Sequence, residues 1–244
     1  MNDAAVAGQD KHSRALLSAA DHRLIGHLVT RVPRSLQSHH LTILTLAWSG
    51  LVLAGYALAI RDRRWLFVVS ALVAVQYVTD AIDGKLGALR GDGLVRWGFY
   101  ADHFLDFVFL CSILLGYALL VPPRLVWLMM AILVVAIGFM VSSFLACAVE
   151  GTLGISYARI GPVEVRLLFI GINTWLALGG RAPLSTVLTV VLAASLVALC
   201  TFVAGTQARL WRADTENRQR QPSHPVMMVS RRSNPHARSL TTSR

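Results

Sequence analysis

Six stretches of the chain are apolar for about 20 residues each, the length at which one α-helix crosses the hydrocarbon core of a bilayer. They lie at about 41–60, 65–90, 94–121, 124–149, 161–179 and 184–208. Within lipid every backbone N–H and C=O must be satisfied internally, and continuous rather than alternating apolar runs do this as helices. The expected fold is therefore all-α: a polytopic membrane protein with six transmembrane helices. Composition agrees, since 55% of the 244 residues are hydrophobic, only 15% are charged and mean hydropathy is +0.57. Soluble domains carry about 25% charged residues. Pro122-Pro123 separates the third run from the fourth.

The ends differ in character. Residues 1–20 are small and polar, and residues 21–37 alternate basic and apolar positions (Arg23, Leu24, Ile25, His27, Leu28, Val29, Arg31) until Pro33 interrupts. That pattern predicts a short amphipathic segment on the membrane surface. Beyond the sixth run the chain turns to Arg, Ser, Pro, Gln and Asn, which predicts a basic, disordered tail. Three parts follow: a cytosolic segment over 1–40, a membrane domain over 41–210 and a tail over 211–244. No apolar h-region occurs in the first forty residues, so no signal peptide is expected. Cys111, Cys147 and Cys200 lie in apolar runs without metal-ligand spacing and read as small hydrophobes.

A net charge of +10 invites a nucleic-acid reading, but position argues against it. The basic residues sit at the ends of apolar runs and in the tail, with no basic stripe along an amphipathic element. With six crossings both termini share one side. Arg61, Arg63, Arg64, Arg124 and Arg181 fall on the opposite side, and every other Lys and Arg falls with the termini. The excess predicts that both termini are cytosolic, as for a bacterial inner membrane protein. No internal repeat is apparent, which disfavours an inverted-repeat transporter.

Four of the thirteen acidic residues, Asp80, Asp83, Asp102 and Asp106, fall in or at the ends of the second and third runs. An Asp at the bilayer centre costs ~2.5–3.5 kcal/mol on insertion scales. Four uncompensated carboxylates would cost roughly 10 kcal/mol. A wet interfacial cavity, a bound cation or both must offset this. Asp80 and Asp83 lie about 60° apart around an ideal helix, and Asp102 and Asp106 about 40° apart. A short connection at Gly91-Asp92-Gly93 makes the two helices antiparallel neighbours, so all four meet at one depth. Oxygen-only donors point to Mg²⁺ or Mn²⁺ rather than zinc. Gly84 follows Asp83, Gly87 and Gly91 continue a small-residue stripe, and Gly98 lies one turn before Asp102. Such glycines either let helices pack closely or form a floor where a flat ligand approaches the backbone.

The string Asp80-x2-Asp83-Gly84, then Gly98-x3-Asp102-x3-Asp106, resembles the DxxDGxxAR…GxxxDxxxD signature of the CDP-alcohol phosphotransferase family. The six-run layout extends the likeness over roughly residues 41–210. The resemblance implies a polytopic all-α enzyme of phospholipid biosynthesis, usually a homodimer, that displaces CMP from a CDP-linked alcohol with an acceptor hydroxyl. It implies that Asp80, Asp83 and Asp102 hold divalent metal, two ions in all. Asp106 would serve as general base and also touch metal. Gly84, Gly87 and Gly98 would lie against the cytidine diphosphate. Where the family has Ala-Arg, this chain has Gly87-Ala88. Arg90, two residues on, replaces the missing cation only if the helix ends or bends there. A second stretch, Gly161-Pro162-Val163-Glu164, resembles the choline/ethanolamine phosphotransferase branch and implies Glu164 and Arg166 near the acceptor or the metal. Its alternative reading is an ordinary helix start, with Pro and an acidic residue in the first turn.

His103 lies about 100° off the aspartate face and reads as a packing or interfacial residue, as do His39 and His40. Two rivals remain. Intramembrane aspartates also serve divalent-cation transporters, although here the pairs share one hairpin and come with spaced glycines. A non-catalytic relative acting as a scaffold is the other, with Ala88 as its best support.

Overall fold

The computed structural model describes residues 25–91, 94–150 and 162–220. All regular structure among them is helical, and six longer helices carry most of it: α1 (Ser38–Ala59), α2 (Trp65–Arg90), α3 (Val95–Leu120), α4 (Val126–Glu150), α5 (Pro162–Ala177) and α6 (Leu184–Arg220). The chain divides into two compact units, Met1–Ala204 and Gly205–Arg244.

Local chemistry sets the boundaries. At the start of α1 the Gln37 backbone N–H donates to His40 Nδ1 (3.2 Å), half of a capping box. This gives His40 a structural task. α2 stops at Gly91, which takes a left-handed conformation (φ 62°, ψ 41°) and donates its N–H to the Gly87 carbonyl at 3.1 Å. Pro122 and Pro123 end α3 and begin a 3₁₀ turn, Pro123–Leu125, that leads into α4.

In the first unit α1 packs against α2 and α3, α5 against α2, and α4 against α3. Val52, Tyr56, Leu66, Val69, Val73, Phe109, Ile113 and Met129 form the shared core. Glycine permits two of its closest approaches. A Cβ at Gly55 would lie 2.7 Å from Val69 Cγ2, and one at Gly116 would run into the Tyr56 ring. The outer faces remain apolar and exposed: Ile43, Leu46, Phe67, Val134, Leu145 and Val191 are examples. Water does not tolerate that surface, and a bilayer does.

Among the described residues, five helices are long and apolar enough to cross a membrane. The sixth expected crossing, about 161–179, is shorter: α5 has 16 residues, or roughly 24 Å, against a core of about 30 Å. Gly179 (φ 84°) terminates its last turn.

The expected surface segment is built into the first unit. Residues 25–29 are helical, and Ile25 and Val29 pack with Leu41 and Leu86. In the second unit, residues 211–220 continue α6 instead of joining the expected disordered tail. Their Ala, Arg, Glu and Gln side chains are good helix formers, and no Pro or Gly occurs before Pro222. Residues 1–24 and 221–244, with the rest of that tail, lie outside the described residues.

Candidate functional site

Helical spacing prepares the site. Gln76 and Asp80 stand one turn apart on α2, and Asp102 and Asp106 stand one turn apart on α3. α1 touches both helices, so the two carboxylate faces meet beside it. Asp80, Asp102 and Asp106 each present one carboxylate oxygen within 4.8 Å of the others. All three are half-buried.

Asp83 stands apart from that trio. Its carboxylate is 5% exposed and faces α1, where Ser38 Oγ donates to one oxygen and Thr42 Oγ1 to the other (2.5 Å). The reason is angular: the two aspartates of α2 leave their helix about 60° apart. α1 meets the side from which Asp83 emerges.

α5 brings in a cation. Arg166 Nη2 lies 3.2 Å from Asp80 Oδ2 and 3.3 Å from Asp106 Oδ1, so one nitrogen bridges carboxylates of two helices. Arg166 Nε donates to Gln76 Oε1 at 3.1 Å, and the guanidinium carbon lies 5.3 Å from the Tyr77 ring centroid. Glu164 is half-buried in the first turn of the same helix.

The glycines sort into two kinds. A Cβ at Gly84 or Gly98 would meet nothing within 4 Å, so backbone beside the aspartates stays approachable. A Cβ at Gly87 would lie 3.2 Å from Ser38 Oγ, which is close helix packing. Arg90 ends α2, as the sequence reading required, but its guanidinium turns to the preceding segment. It donates to the Leu36, Val32 (2.9 Å) and Pro33 (3.2 Å) carbonyls. His103 Nδ1 lies 2.6 Å from the Phe99 carbonyl, which can only accept, so Nδ1 carries the proton. Its ring packs against Phe99 and Phe144.

Sequence reasoning named all four aspartates and Arg166 but passed over Gln76, Tyr77, Ser38 and Thr42. Three of these carried a signal: Gln76 is a polar residue inside an apolar run one turn from Asp80, and Ser38 and Thr42 are hydroxyls at i, i+4.

An all-carboxylate donor set from two helices suits a hard divalent cation such as Mg²⁺ or Mn²⁺. No curated protein and no solved structure matches the chain. A family model described as CDP-alcohol phosphatidyltransferase matches residues 38–201, which takes in α1 to α5, about half of α6 and every residue of the cluster. That match covers about two-thirds of the chain, and the protein belongs to the CDP-alcohol phosphatidyltransferase family.

Proposed function

We propose that this protein transfers a substituted phosphate from a CDP-linked alcohol to an acceptor hydroxyl and releases CMP. Its family comprises phosphotransferases of phospholipid synthesis that use divalent metal ions. The observation that carries the reading is the convergence of Asp80, Asp102 and Asp106, from two helices, inside an apolar bundle. Carboxylates gathered so closely in that setting repel one another, and a divalent cation relieves the repulsion.

In this reading Asp80, Asp102 and Asp106 hold Mg²⁺ or Mn²⁺, two ions in all. Asp83 joins them from its Ser38 and Thr42 cradle, because each carboxylate oxygen keeps a second lone pair. Metal bound there neutralises charge on the diphosphate and on the leaving phosphate. Gly84 and Gly98, with open space where a side chain would stand, let the cytidine diphosphate lie against the backbone. The acceptor oxygen attacks the β-phosphorus as the bond from that phosphorus to the bridging oxygen breaks. The bridging oxygen leaves with CMP, and Asp106 takes the proton of the acceptor hydroxyl. Glu164 and Arg166 border the side from which the acceptor approaches. At least one of the two alcohols is a lipid, the enzyme works as a homodimer, and both termini face the cytosol, which brings soluble and lipid substrates to one interface.

The test is CMP release by the purified protein in lipid, with a panel of CDP-alcohols, in Mg²⁺ or Mn²⁺ and in EDTA. Metal-dependent release with at least one donor is expected. No release with any donor, from protein that binds Mn²⁺, would leave the transporter or scaffold reading standing.

A further inference from the structure

We infer that Arg166 is the resident counter-cation of the carboxylate cluster and that it sets how tightly the cluster takes a divalent metal. The inference rests on the metal-site reading above and assigns a residue that opposes the metal.

Arg166 is 9% exposed, and its guanidinium is held from several directions. Nη2 bridges Asp80 Oδ2 and Asp106 Oδ1, Nε donates to Gln76 Oε1, and the Tyr77 ring lies beside the guanidinium carbon. Gln76 is fully buried, so that hydrogen bond does not exchange with bulk water. Asp80 and Asp106 are also two of the three residues that can share one metal ion. An incoming divalent cation must therefore divide them with the guanidinium or displace it.

Two opposite effects follow. Without metal, Arg166 relieves the repulsion among three close carboxylates and ties α5 to α2 and α3. With metal, the same positive charge weakens binding, because like charges at this separation inside a bundle repel strongly. A residue that only shaped the carboxylates would act the other way: its loss would loosen the ligands and weaken metal binding. The sign of the change in affinity separates the two roles.

The experiment is Mn²⁺ binding to the full chain in detergent, without nucleotide, measured by calorimetry and by the loss of the free-ion spin-resonance signal. Arg166→Gln should bind Mn²⁺ about tenfold more tightly than the parent or better. Arg166→Lys, which keeps the charge and loses the planar fork, should fall between them. In EDTA the Arg166→Gln protein should melt at lower temperature than the parent, and Mn²⁺ should restore it. Should Arg166→Gln fail to fold, Gln76→Leu frees the guanidinium from its amide anchor and should tighten Mn²⁺ binding by a few-fold. Equal or weaker Mn²⁺ binding in these variants, beside intact binding by the parent, overturns the role assigned to Arg166 alone. A parent that binds no Mn²⁺ overturns the metal site and this role together.

Discussion

Two polar clusters are buried in the same apolar bundle, and α5 contributes to both. Arg166 enters the carboxylate cluster. Two turns further on, Asn173 enters a neutral one, where its Oδ1 accepts from Tyr117 Oη at 2.9 Å and from Tyr56 Oη at 3.1 Å. Tyr56 and Asn173 have no exposed surface, and the two tyrosine rings lie 5.0 Å apart. The neutral cluster satisfies its hydroxyls from within and carries no net charge, so it serves as a lock among α1, α3 and α5. The charged cluster sets three carboxylates around one bridging guanidinium, and glycine backbone beside it lies open. Neutral hydroxyls that share one amide oxygen hold helices together, whereas carboxylates gathered at one point suit a cation.

The sharpest way to break this comparison is to neutralise each cluster in turn and compare turnover. Asp80→Asn or Asp102→Asn should lower CMP release by orders of magnitude. Asp106→Asn should cost ~10²–10⁴ in rate. It should also keep much of the CDP-alcohol affinity that Asp80→Asn loses, as calorimetry beside CMP release would read. Asn173→Leu should leave turnover per folded molecule within a few-fold. A collapse of turnover in folded Asn173→Leu protein would make the neutral cluster part of the machinery.

The glycines sharpen the contrast next. Gly116→Ala drives a methyl into the Tyr56 ring and should cost about 1–3 kcal/mol of stability, read as a lower melting temperature. Gly84→Ala meets no atom, so the fold should hold while KM for the CDP-alcohol rises. An unchanged KM in Gly84→Ala would remove the ligand floor.

Smaller effects come from the lock and the strap. Asn173→Leu strips a partner from two tyrosine hydroxyls, and within a membrane bundle such bonds are worth roughly 1 kcal/mol. A melting temperature unchanged within error would show that the hydroxyls find other partners. Arg90→Ala should loosen the segment around residues 32–36, seen as faster proteolysis there, with Mn²⁺ binding unchanged. A tenfold rise in KM for the CDP-alcohol in Arg90→Ala would instead assign Arg90 to the donor.

Several features were legible in one dimension. Helical periodicity put Asp102 and Asp106 on one face, and run length located the helices. The all-α fold follows from the requirement that lipid-buried backbone satisfy itself. Asp80 and Asp83 look like one pair in sequence, yet only Asp80 joins the close trio, because the hydroxyls of Ser38 and Thr42 wait on the other side of the angle between them. The fifth run was legible to within two residues, since α5 spans Pro162–Ala177 and Gly179 turns left-handed just beyond it.

The sequence by itself determined that this chain is helical, that it is built for a bilayer and that it carries an aspartate signature on two consecutive helices. Those properties depend on residues within a few turns of one another, where spacing is geometry. Tertiary structure alone decided which carboxylates converge, which glycines stay open and where the arginines point. Arg166 meets its aspartates across 86 and 60 residues of chain, and Asp83 meets Ser38 across 45. Contacts at that range come from helix packing, which local spacing does not encode.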